Sequence, residues 1–307
     1  LADADAVNKV FEEYHPDIVV NLAAQAGVRY SIENPRAYID SNIIGFFNIL
    51  EACRHNPVEH LLYASSSSVY GNQEKTPFSV DDQVDRPISL YAATKKSDEL
   101  LAFSYAHLYK IPATGLRFFT VYGPYGRPDM AYFGFTNKIF ADEPIKIFNN
   151  GDMLRDFTYI DDIVTGILNI LPCPPETDAN GDMYKIYNIG NNKPEKLMTF
   201  IETLEDVIGM KAKKEYLPMQ AGDVYQTYAD VSELEKNFGF KPQTTIREGL
   251  TNFINWYRDS VRVSFVCISC PCHNKTYLIV CCFDNIFNSL RNNSISNSCL
   301  LYTSDAA

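Results

Sequence analysis

The residue types best suited to chemistry in this chain are a serine cluster and a tyrosine–lysine pair. Four consecutive serines at 65–68 end a short apolar run, and Tyr91 and Lys95 follow further along the chain. Tyr91 and Lys95 are four residues apart, so they share a face if the segment is helical. A lysine ammonium near a phenol favours the ionised phenol, which can then act as a general base. With Ser66 bridging Tyr91 to an alcohol, this set could remove the hydroxyl proton while the alcohol carbon loses a hydride.

Each part of this set also has a simpler interpretation. Among 20 tyrosines, a Tyr-x-x-x-Lys spacing occurs about once by chance, and Tyr91 could lie on a solvated helix face. A serine-rich turn is common as well. However, the serines follow a buried strand, where their hydroxyl groups need hydrogen-bond partners, and a ligand would supply them.

The segments around these residues predict alternating strands and helices. Apolar, β-branched runs predict buried parallel strands, and apolar residues at helical spacing predict helices. The strands are expected at 18–23, 61–64 and 114–119, the helices at 35–54, 91–109 and 242–258, and a loop at 121–126. The apolar side of the helix at 35–54 is formed by Ile39, Ile43, Phe46, Phe47 and Leu50. This order predicts an α/β fold with a doubly wound parallel sheet, in which ligands bind where the strands end.

The alternation of strands and helices becomes less regular beyond residue 126, where glycine, proline and aromatic residues are more frequent. We therefore expect a Rossmann-like domain at 1–125 and a smaller substrate domain at 126–258 that returns some segments to the sheet. Residues 259–307 carry few charges and show no coherent period, which predicts a non-native or disordered tail. The cysteines of this tail, together with His273, match no standard zinc spacing, so we predict no metal site.

Composition narrows the class of protein. The net charge is −11, with a pI near 4.9 and no visible basic stripe, which disfavours a nucleic-acid partner. No apolar run reaches the length of a membrane-spanning helix, and the first residues do not match a signal peptide. Only Cys53 and Cys173 precede residue 260, which is typical of a reduced, cytoplasmic protein.

One motif of dinucleotide-binding folds is missing. The sequence contains no Gly-x-x-Gly-x-x-Gly turn, which would bring the backbone close to a pyrophosphate at the start of a helix. The chain begins within a predicted helix and without a methionine, so we expect that a first βαβ portion is absent. The chain as written is then expected to bind a dinucleotide poorly and to be nearly inactive.

Several motifs occur in the order found in one enzyme family. They are NLAAQAGVR (21–29), the serine cluster through Gly71, YAATK (91–95), LRFFTVYGP (116–124), GRPDM (126–130), RDFTYIDD (155–162) and GDV (222–224). In these motifs the chain resembles the extended short-chain dehydrogenases/reductases that act on nucleotide sugars, and most resembles the UDP-glucuronate 4-epimerases. The resemblance covers residues 1 to about 258. It implies NAD as cofactor, a UDP-sugar substrate, and homodimers formed by the helices at 37–54 and 91–109.

The resemblance assigns roles to individual positions. The implied catalytic residues are Ser66, Tyr91 and Lys95, and the implied cofactor-binding residues are Ala23, Ala24, Gln25, Asn42, Tyr63, Lys95 and Phe118. The implied substrate-binding residues are Ser67, Ser68, Thr120, Arg127, Arg155, Gln220 and Asp223. Of these, Arg155 and Asp223 would hold the UDP portion, and Arg127 would recognise a uronate carboxylate. Without the motifs, Arg127 would be interpreted as a solvated loop residue, and Arg155 with Asp156 as a surface ion pair.

The expected reaction is 4-epimerisation through a 4-keto sugar. Relatives that dehydrate or decarboxylate carry an acidic residue beside the catalytic hydroxyl, whereas Ser67 and Ser68 stand there in this chain. Two alternatives stay open: epimerisation of neutral UDP-glucose or a UDP-N-acetylhexosamine, and a sugar-nucleotide-binding protein without turnover. The intact Tyr91 and Lys95 argue against the second alternative, and the missing glycine turn argues for it.

Overall fold

Helices and strands alternate through the amino-terminal part of the chain, as the sequence predicts. The computed structural model describes residues 1–220, 223–262, 277–280 and 298–300. In chain order the first elements are α1 (Ala4–Tyr14), β1 (Ile18–Asn21), α2 (Tyr30–Glu33), α3 (Pro35–Tyr38), a π-helical turn (Ile39–Ile44), α4 (Gly45–His55), β2 (His60–Ser66), a 3-10 turn (Ser67–Tyr70), α5 (Leu90–Tyr109), β3 (Ala113–Phe118) and β4 (Thr120–Tyr122).

Shorter elements follow in the second part of the chain. They are α6 (Ala131–Phe140), β5 (Ile145–Ile147), a 3-10 turn (Phe148–Gly151), β6 (Leu154–Tyr159), α7 (Ile160–Ile170), β7 (Tyr184–Ile189), β8 (Pro194–Lys196), α8 (Leu197–Ile208), β9 (Lys214–Tyr216), α9 (Ser232–Phe238), α10 (Ile246–Arg262), β10 (Tyr277–Val280) and β11 (Ser298–Leu300). Among them, β4, β6 and β8 form a small sheet, and β5 pairs with β9.

The main sheet is parallel, with the strand order β11-β10-β1-β2-β3-β7. Asn21 at the end of β1 pairs with Tyr63 of β2, and Ser66 at the end of β2 pairs with Phe118 of β3. The carboxyl ends of these three strands therefore meet at one edge of the sheet, where ligands bind in this class of fold. The predicted parallel α/β sheet is confirmed.

Burial on both faces explains why the strands read as continuous apolar runs. Leu61 and Tyr63 of β2 pack on one face of the sheet with Phe46 of α4, and Leu62 packs on the other face with Ile163 of α7. Each of these side chains is at most 2% exposed. Full burial of an apolar side chain contributes about 1.5–3 kcal/mol, so the two faces together fix the register of β2.

The predicted helix at 35–54 forms, but the π-helical turn at Ile39–Ile44 interrupts its regular winding. Its apolar side is only partly buried: Leu50 reaches the core, whereas Ile39 is 37% and Phe47 is 41% exposed. Phe47 instead packs edge-on against Tyr105 of α5. Ile39 and Phe47 therefore lie on the solvent-facing side of this segment and not in the core.

Two other boundaries differ from the prediction. Residues 120–122 form strand β4, which pairs with β6, because Tyr122 is buried among aromatic rings there and the segment is not a free loop. The last helix begins at Ile246 and not at Pro242. The Thr245 hydroxyl accepts a hydrogen bond from the Glu248 amide at 3.2 Å, which places the amino-terminal cap after the proline.

The second part of the chain contributes a strand to the main sheet. Strand β7 pairs along its whole length with β3. The largest hydrophobic core contains residues from both sides of the expected boundary at residue 125, including Leu62 and Phe253. The core therefore continues across that boundary, and the division into two domains stays a prediction.

The structure describes only short stretches of the expected tail. Strand β10 pairs in parallel with β1, joining Tyr277 to Ile18. Cys299 lies in β11, whereas His273 and the other tail cysteines fall outside the described residues, and the prediction of a non-native tail stays a prediction. Among the residues that are described, no helix has the length and apolar character needed to cross a membrane. The same part of the chain holds no cluster of three or more metal-ligating side chains.

Candidate active site

A cleft of about 330 Å³ opens where β1, β2 and β3 end. It brings together nine of the residues singled out from the sequence: Ala24, Ser66, Ser67, Ser68, Tyr91, Lys95, Phe118, Thr120 and Arg127. These residues come from four separate segments of the chain, and the parallel sheet collects them because its strand ends converge. The spacing of the motifs therefore predicted a real spatial cluster.

The serine cluster forms a tight turn at the floor of this cleft. Ser66 has an extended backbone and caps the following 3-10 turn, since its Oγ accepts from the Ser68 amide at 3.2 Å. The hydroxyl groups of Ser66 and Ser68 are 2.9 Å apart. Ser65 is committed elsewhere, because its hydroxyl donates to the buried Glu99 carboxylate at 2.6 Å. Three of the four serines thus remain to interact with a ligand.

Helix α5 carries the tyrosine–lysine pair into the cleft. The helix begins after Ser89, whose hydroxyl accepts from the Ala92 amide at 3.1 Å. Lys95 is buried, and its Nζ donates to the Ala64 carbonyl at 3.0 Å and to Asp98 Oδ2 at 3.1 Å. A buried ammonium needs such acceptors to offset the loss of hydration. Lys95 is therefore held at the end of β2, beside the serine turn.

Two of the residues expected to bind cofactor brace the loop after β1. The Asn42 side chain, in the π-helical turn, accepts from the Gln25 amide at 2.8 Å and donates to the Gln25 carbonyl at 3.0 Å. Its amide also donates to Thr94 Oγ1 at 2.9 Å. Asn42 thereby ties this loop to α5 next to Lys95, and neither Asn42 nor Gln25 lines the cleft.

Ala23 and Tyr63, which were also expected to bind the cofactor, do not line the cleft either. Ala23 is buried in the core between the sheet and α4. The Tyr63 ring is 1% exposed and packs on Phe46 at 5.0 Å, and its hydroxyl lies 2.8 Å from that of Tyr184. The structure therefore places the Tyr63 side chain in the core, on the sheet face opposite Leu62.

Tyr38 is a residue of the site that sequence reasoning missed. Its hydroxyl donates to the Gly27 carbonyl at 2.5 Å, and it also lies 3.0 Å from the Ala26 carbonyl. Burial raises the pKa of Tyr38 to about 12, so it stays a donor. Gly27 has a φ of +107°, which favours glycine, and its backbone is held there by Tyr38. The Tyr38 ring also packs edge-on against Tyr91, with centroids 6.0 Å apart.

Arg127 belongs to the wall of the cleft and is not a solvated loop residue. Its side chain is 22% exposed, and its guanidinium donates through Nε to Asp129 Oδ1 at 2.7 Å and through Nη2 to Oδ2. The carboxylate of Asp129 is 63% exposed. Asp129 therefore holds the guanidinium in place from the solvent side, and its cationic face borders the cleft.

A second cleft of about 300 Å³ adjoins the first, since Thr120 and Met130 line both. Four cationic side chains border it: Arg29, Lys138, Lys146 and Arg155. Of these, only Arg155 was identified from the sequence as a binding residue. Arg29 ends the motif at 21–29 but received no binding role there, and Lys138 and Lys146 lie in none of the motifs.

Arg155 and Asp223 meet in the second cleft, as predicted. Arg155 donates to the Val224 carbonyl at 2.8 Å and to the Tyr225 carbonyl at 3.0 Å. Burial lowers the pKa of Arg155 from its usual value, and the nearby Asp223 opposes that shift. Asp223 also accepts from Arg29 at 3.1 Å. A dense cationic wall of this kind suits a diphosphate.

Asp156 and Gln220, the remaining polar residues expected near Arg155, both lie outside the cleft linings. Asp156 does not pair with Arg155 at the surface. It is buried and accepts from the amides of Asn191, Asn192 and Ala229 at 2.7, 3.1 and 3.0 Å. Gln220 lies close to Asp223, whose amide donates to its carbonyl at 3.3 Å, but it does not line either cleft.

Comparisons with known proteins agree with this geometry. Residues 1–190 match the model of the NAD dependent epimerase/dehydratase family. The chain is 54% identical to Protein CapI of Staphylococcus aureus over 84% of this chain and 80% of that protein. It is 47% identical to a probable UDP-glucuronate 4-epimerase of Rhizobium meliloti over 85% and 80% of the two chains.

A solved structure shares the fold as well as the sequence. The UDP-glucuronic acid 4-epimerase of Bacillus cereus, in complex with UDP-glucuronic acid and NAD, superposes with a TM-score of 0.76. That structure is 34% identical to this chain, and the match covers 84% of this chain and 80% of the Bacillus protein. The resemblance inferred from the motifs is confirmed: the chain belongs to the NAD-dependent epimerase/dehydratase family.

Proposed function

We propose that the protein is an NAD-dependent 4-epimerase of UDP-sugars, and that it interconverts UDP-glucuronate and UDP-galacturonate. One observation carries this proposal: the cleft that holds the Tyr91–Lys95 pair adjoins the cleft that holds the cationic wall around Arg155, and Thr120 and Met130 line both. A nucleotide sugar has the same layout, with a reactive hydroxyl at one end and a diphosphate towards the other. The relatives in Rhizobium and Bacillus have this activity in their names.

The residues at the strand ends suit the nicotinamide portion of NAD. Lys95 is a buried ammonium with two acceptors among the described residues and a capacity for three hydrogen bonds. Ala24 and Phe118 supply an apolar wall beside it. We assign Lys95, Phe118, Ala24 and their neighbours Ala23, Gln25, Asn42 and Tyr63 to the cofactor, the last four as supports. When bound, NAD takes up the hydride from the sugar C4 and returns it.

The proton moves through the chain's own residues. Tyr91 takes the proton of the 4-hydroxyl as general base, with Ser66 bridging the two oxygens, and later returns it. Lys95 stabilises the ionised phenol by its charge. In the second cleft, Arg155, Asp223 and Gln220 keep the UDP portion bound while the 4-keto sugar turns to present its other face. Holding the intermediate in one complex is what makes the exchange of faces efficient.

The lining of the first cleft favours epimerisation over loss of water or carbon dioxide. None of the described residues that line it is an aspartate or a glutamate. Ser67, Ser68 and Thr120 present neutral hydroxyl groups there, and Arg127 presents a cation. These four residues would bind the uronate carboxylate, and Arg127 would distinguish it from the neutral hydroxymethyl group of UDP-glucose.

We also propose a homodimer formed by α4 and α5. These two helices and the turn at Ile39–Ile44 expose several large apolar side chains: Ile39, Ile44, Phe47, Leu100, Phe103, Leu108 and Tyr109. Exposed apolar side chains concentrated on two neighbouring helices support an interaction site there. A second copy of the chain suits this surface because the same two helices can pair about a twofold axis.

We also propose a cytoplasmic location. The buried Cys53 and the exposed Cys173 are free thiols in the described part of the chain, which supports a reducing compartment.

The sugar specificity is tested by following the anomeric NMR signals of UDP-glucuronate and, separately, UDP-glucose with NAD added. The assay is run on the chain and on a version extended at its amino end by a strand and glycine-rich turn. Formation of UDP-galacturonate only from the first substrate supports the proposal. Turnover of UDP-glucose alone would assign a neutral hexose, and binding of both nucleotides without turnover would assign a binding protein. Release of carbon dioxide would contradict the role given to the serine turn.

A further inference from the structure

The carboxylate of Asp98 lies directly behind the catalytic lysine. Asp98 follows Lys95 by three residues on α5, and the two side chains are 2% and 5% exposed. The Lys95 ammonium donates to Asp98 Oδ2 and to the Ala64 carbonyl. Two of its three N–H bonds are thus directed towards the protein, and the third is left for a group in the cleft. An aspartate at this spacing on a helix usually forms a solvated ion pair, but this one is buried.

The second oxygen of this carboxylate has no hydrogen-bond partner. Oδ1 of Asp98 is buried and unpaired in the part of the chain that the structure describes. Its charged neighbours are Lys95 and Glu99 on α5, and the phenol of Tyr63 on β2 also faces it. Only Lys95 among these carries a compensating positive charge. A buried carboxylate held by one ammonium and no other donor is costly to keep, which points to a role other than stability.

We propose that Asp98 is a positioning residue for the epimerase reaction: with the Ala64 carbonyl it fixes the direction of the Lys95 ammonium, and its negative charge determines how strongly that ammonium acts on Tyr91. This inference rests on the proposed function, since it concerns the same base. It adds a member to the site that neither the motifs nor the cleft lining contain.

The ionisation of Asp98 makes the effect depend on pH. Burial raises the pKa of Asp98 to about 6, and the nearby Lys95 only partly opposes that shift. Above this pH the carboxylate compensates part of the ammonium charge, so the phenolate of Tyr91 gains less stabilisation. Below it Asp98 is neutral, and the whole charge of Lys95 acts on Tyr91.

Asp98→Asn separates charge from geometry, because the amide oxygen can still accept from Lys95. Near pH 6 and below, the variant and the wild type are expected to turn over substrate at similar rates. At neutral pH the variant should be faster. The midpoint of the acid limb of its pH–rate profile should lie at a pH about half a unit or more below that of the wild type. Identical profiles for the two proteins would overturn the proposal.

Asp98→Ala removes the acceptor as well as the charge. We expect NADH to bind at least about tenfold more weakly, by fluorescence titration, and the turnover rate to fall by a similar factor. Asp98→Asn should restore most of the NADH affinity. The matched control is Glu205→Gln, which neutralises a buried carboxylate that pairs with Lys211 and Lys214, neither of which lines a cleft. This control should change neither readout.

A spectroscopic measurement keeps the test independent of turnover. The protein is labelled at the tyrosine Cζ carbon, and the Tyr91 resonance is assigned by its loss in Tyr91→Phe. With no cofactor present, the chemical shift of this resonance in Asp98→Asn should differ from the wild type above pH of about 6, where Asp98 is charged, and match it below. Identical chemical shifts at every pH would refute the coupling even if the enzyme proves active. Failure of the version extended at its amino end to bind NADH or to epimerise any UDP-sugar would count against the proposed function and leave this readout intact.

Discussion

Arg117 and Glu99 form a buried double hydrogen bond beneath the serine turn. Arg117 Nε lies 2.8 Å from Glu99 Oε1, and Nη2 lies 2.9 Å from Oε2. The two side chains are 3% and 1% exposed. Ser65 donates to the same carboxylate, so the pair joins α5 to both β2 and β3. Burial raises the pKa of Glu99, but the bonds from Arg117 outweigh burial and hold it below its usual range.

Breaking this pair should strongly destabilise the fold. Glu99→Gln leaves the Arg117 guanidinium buried without its counter-ion, and we expect the free energy of unfolding to fall by about 3–5 kcal/mol. Arg117→Met should cost less, because Ser65 and Lys96 still bind Glu99. Urea denaturation followed by circular dichroism measures both losses.

The control is Asp40→Asn, which removes an exposed partner from Arg36 and should leave the free energy of unfolding nearly unchanged. Equal losses for Glu99→Gln and Asp40→Asn would contradict the importance given to the buried pair.

Tyr91→Phe tests the general base. The change keeps the ring that packs on Tyr38 and removes only the hydroxyl, so the fold and NADH binding should be retained. Turnover should fall by about 10²- to 10⁴-fold, the usual contribution of a general base. Rates are measured by NMR and NADH binding by fluorescence. Tyr216→Phe, at an exposed position on β9, should leave the rate unchanged. A Tyr91→Phe enzyme within tenfold of the wild type would remove Tyr91 from the mechanism.

Arg127→Met tests recognition of the uronate. Loss of a charged hydrogen-bond donor to the carboxylate should lower kcat/KM for UDP-glucuronate by about 10- to 100-fold. UDP-glucose, if it turns over, should be affected little. Arg155→Met is the matched control, because it contacts the portion shared by both nucleotides and should weaken both substrates alike. Equal losses on the two sugars in Arg127→Met would show that Arg127 does not read the carboxylate.

The sequence predicted the cleft well where local spacing decides the geometry. Tyr91 and Lys95 share a helix face, and the serines follow a strand, so their convergence needs only the parallel sheet. Strand alternation also explains why Tyr63 does not line the cleft: Leu62 and Ala64 point to one face of β2, and Tyr63 points to the other. That alternation is visible in the sequence.

The site residues that the sequence did not identify depend on contacts between distant segments of the chain. From its spacing to Lys95, Asp98 would be interpreted as one end of a solvated ion pair, but the fold buries it to 2% exposure. Lys138 and Lys146 reach the second cleft only because α6 and β5 fold over the strand ends. Tyr38 looks like an ordinary residue of an amphipathic helix, and only its bond to Gly27 reveals its role. No pattern of spacing marks such residues.

The proposed dimer is tested by Leu100→Glu and Leu108→Glu. These side chains are 57% and 65% exposed on α5, so a glutamate would cost little in a monomer but would bury a charge in the interface. We expect sedimentation velocity to show a dimer for the wild type and a monomer for each variant. Met210→Glu, at a position 39% exposed outside this face, should remain dimeric. A monomeric wild type at micromolar concentration would contradict the proposal.

His60 should make the stability fall as the pH drops. Its ring is buried on β2, with Nδ1 3.0 Å from the Leu171 carbonyl and Nε2 2.8 Å from Thr114 Oγ1. Because a carbonyl only accepts, Nδ1 carries the proton and Nε2 accepts from Thr114. Burial lowers the pKa of His60 from its usual value, and the Leu171 carbonyl opposes that shift only in part. The folded protein therefore contains the neutral ring.

The sign of the effect follows from linkage. Above pH of about 6.5 the ring is neutral in both states, and below it the unfolded chain binds the proton first, so the free energy of unfolding falls. Asp98 and Asp156 act in the opposite direction: burial raises the pKa of each to about 6, so the stability they contribute grows as the pH falls from about 6 to 4.

The contribution of His60 is therefore isolated by comparing the wild type with His60→Gln, since both proteins keep the two aspartates. Between pH 7.5 and 5.5 the wild type should lose up to about 1.4 kcal/mol per pH unit more than His60→Gln, measured by urea denaturation. His55→Gln, which changes an exposed histidine, should follow the wild type, and parallel curves for the wild type and His60→Gln would show that His60 does not titrate on unfolding.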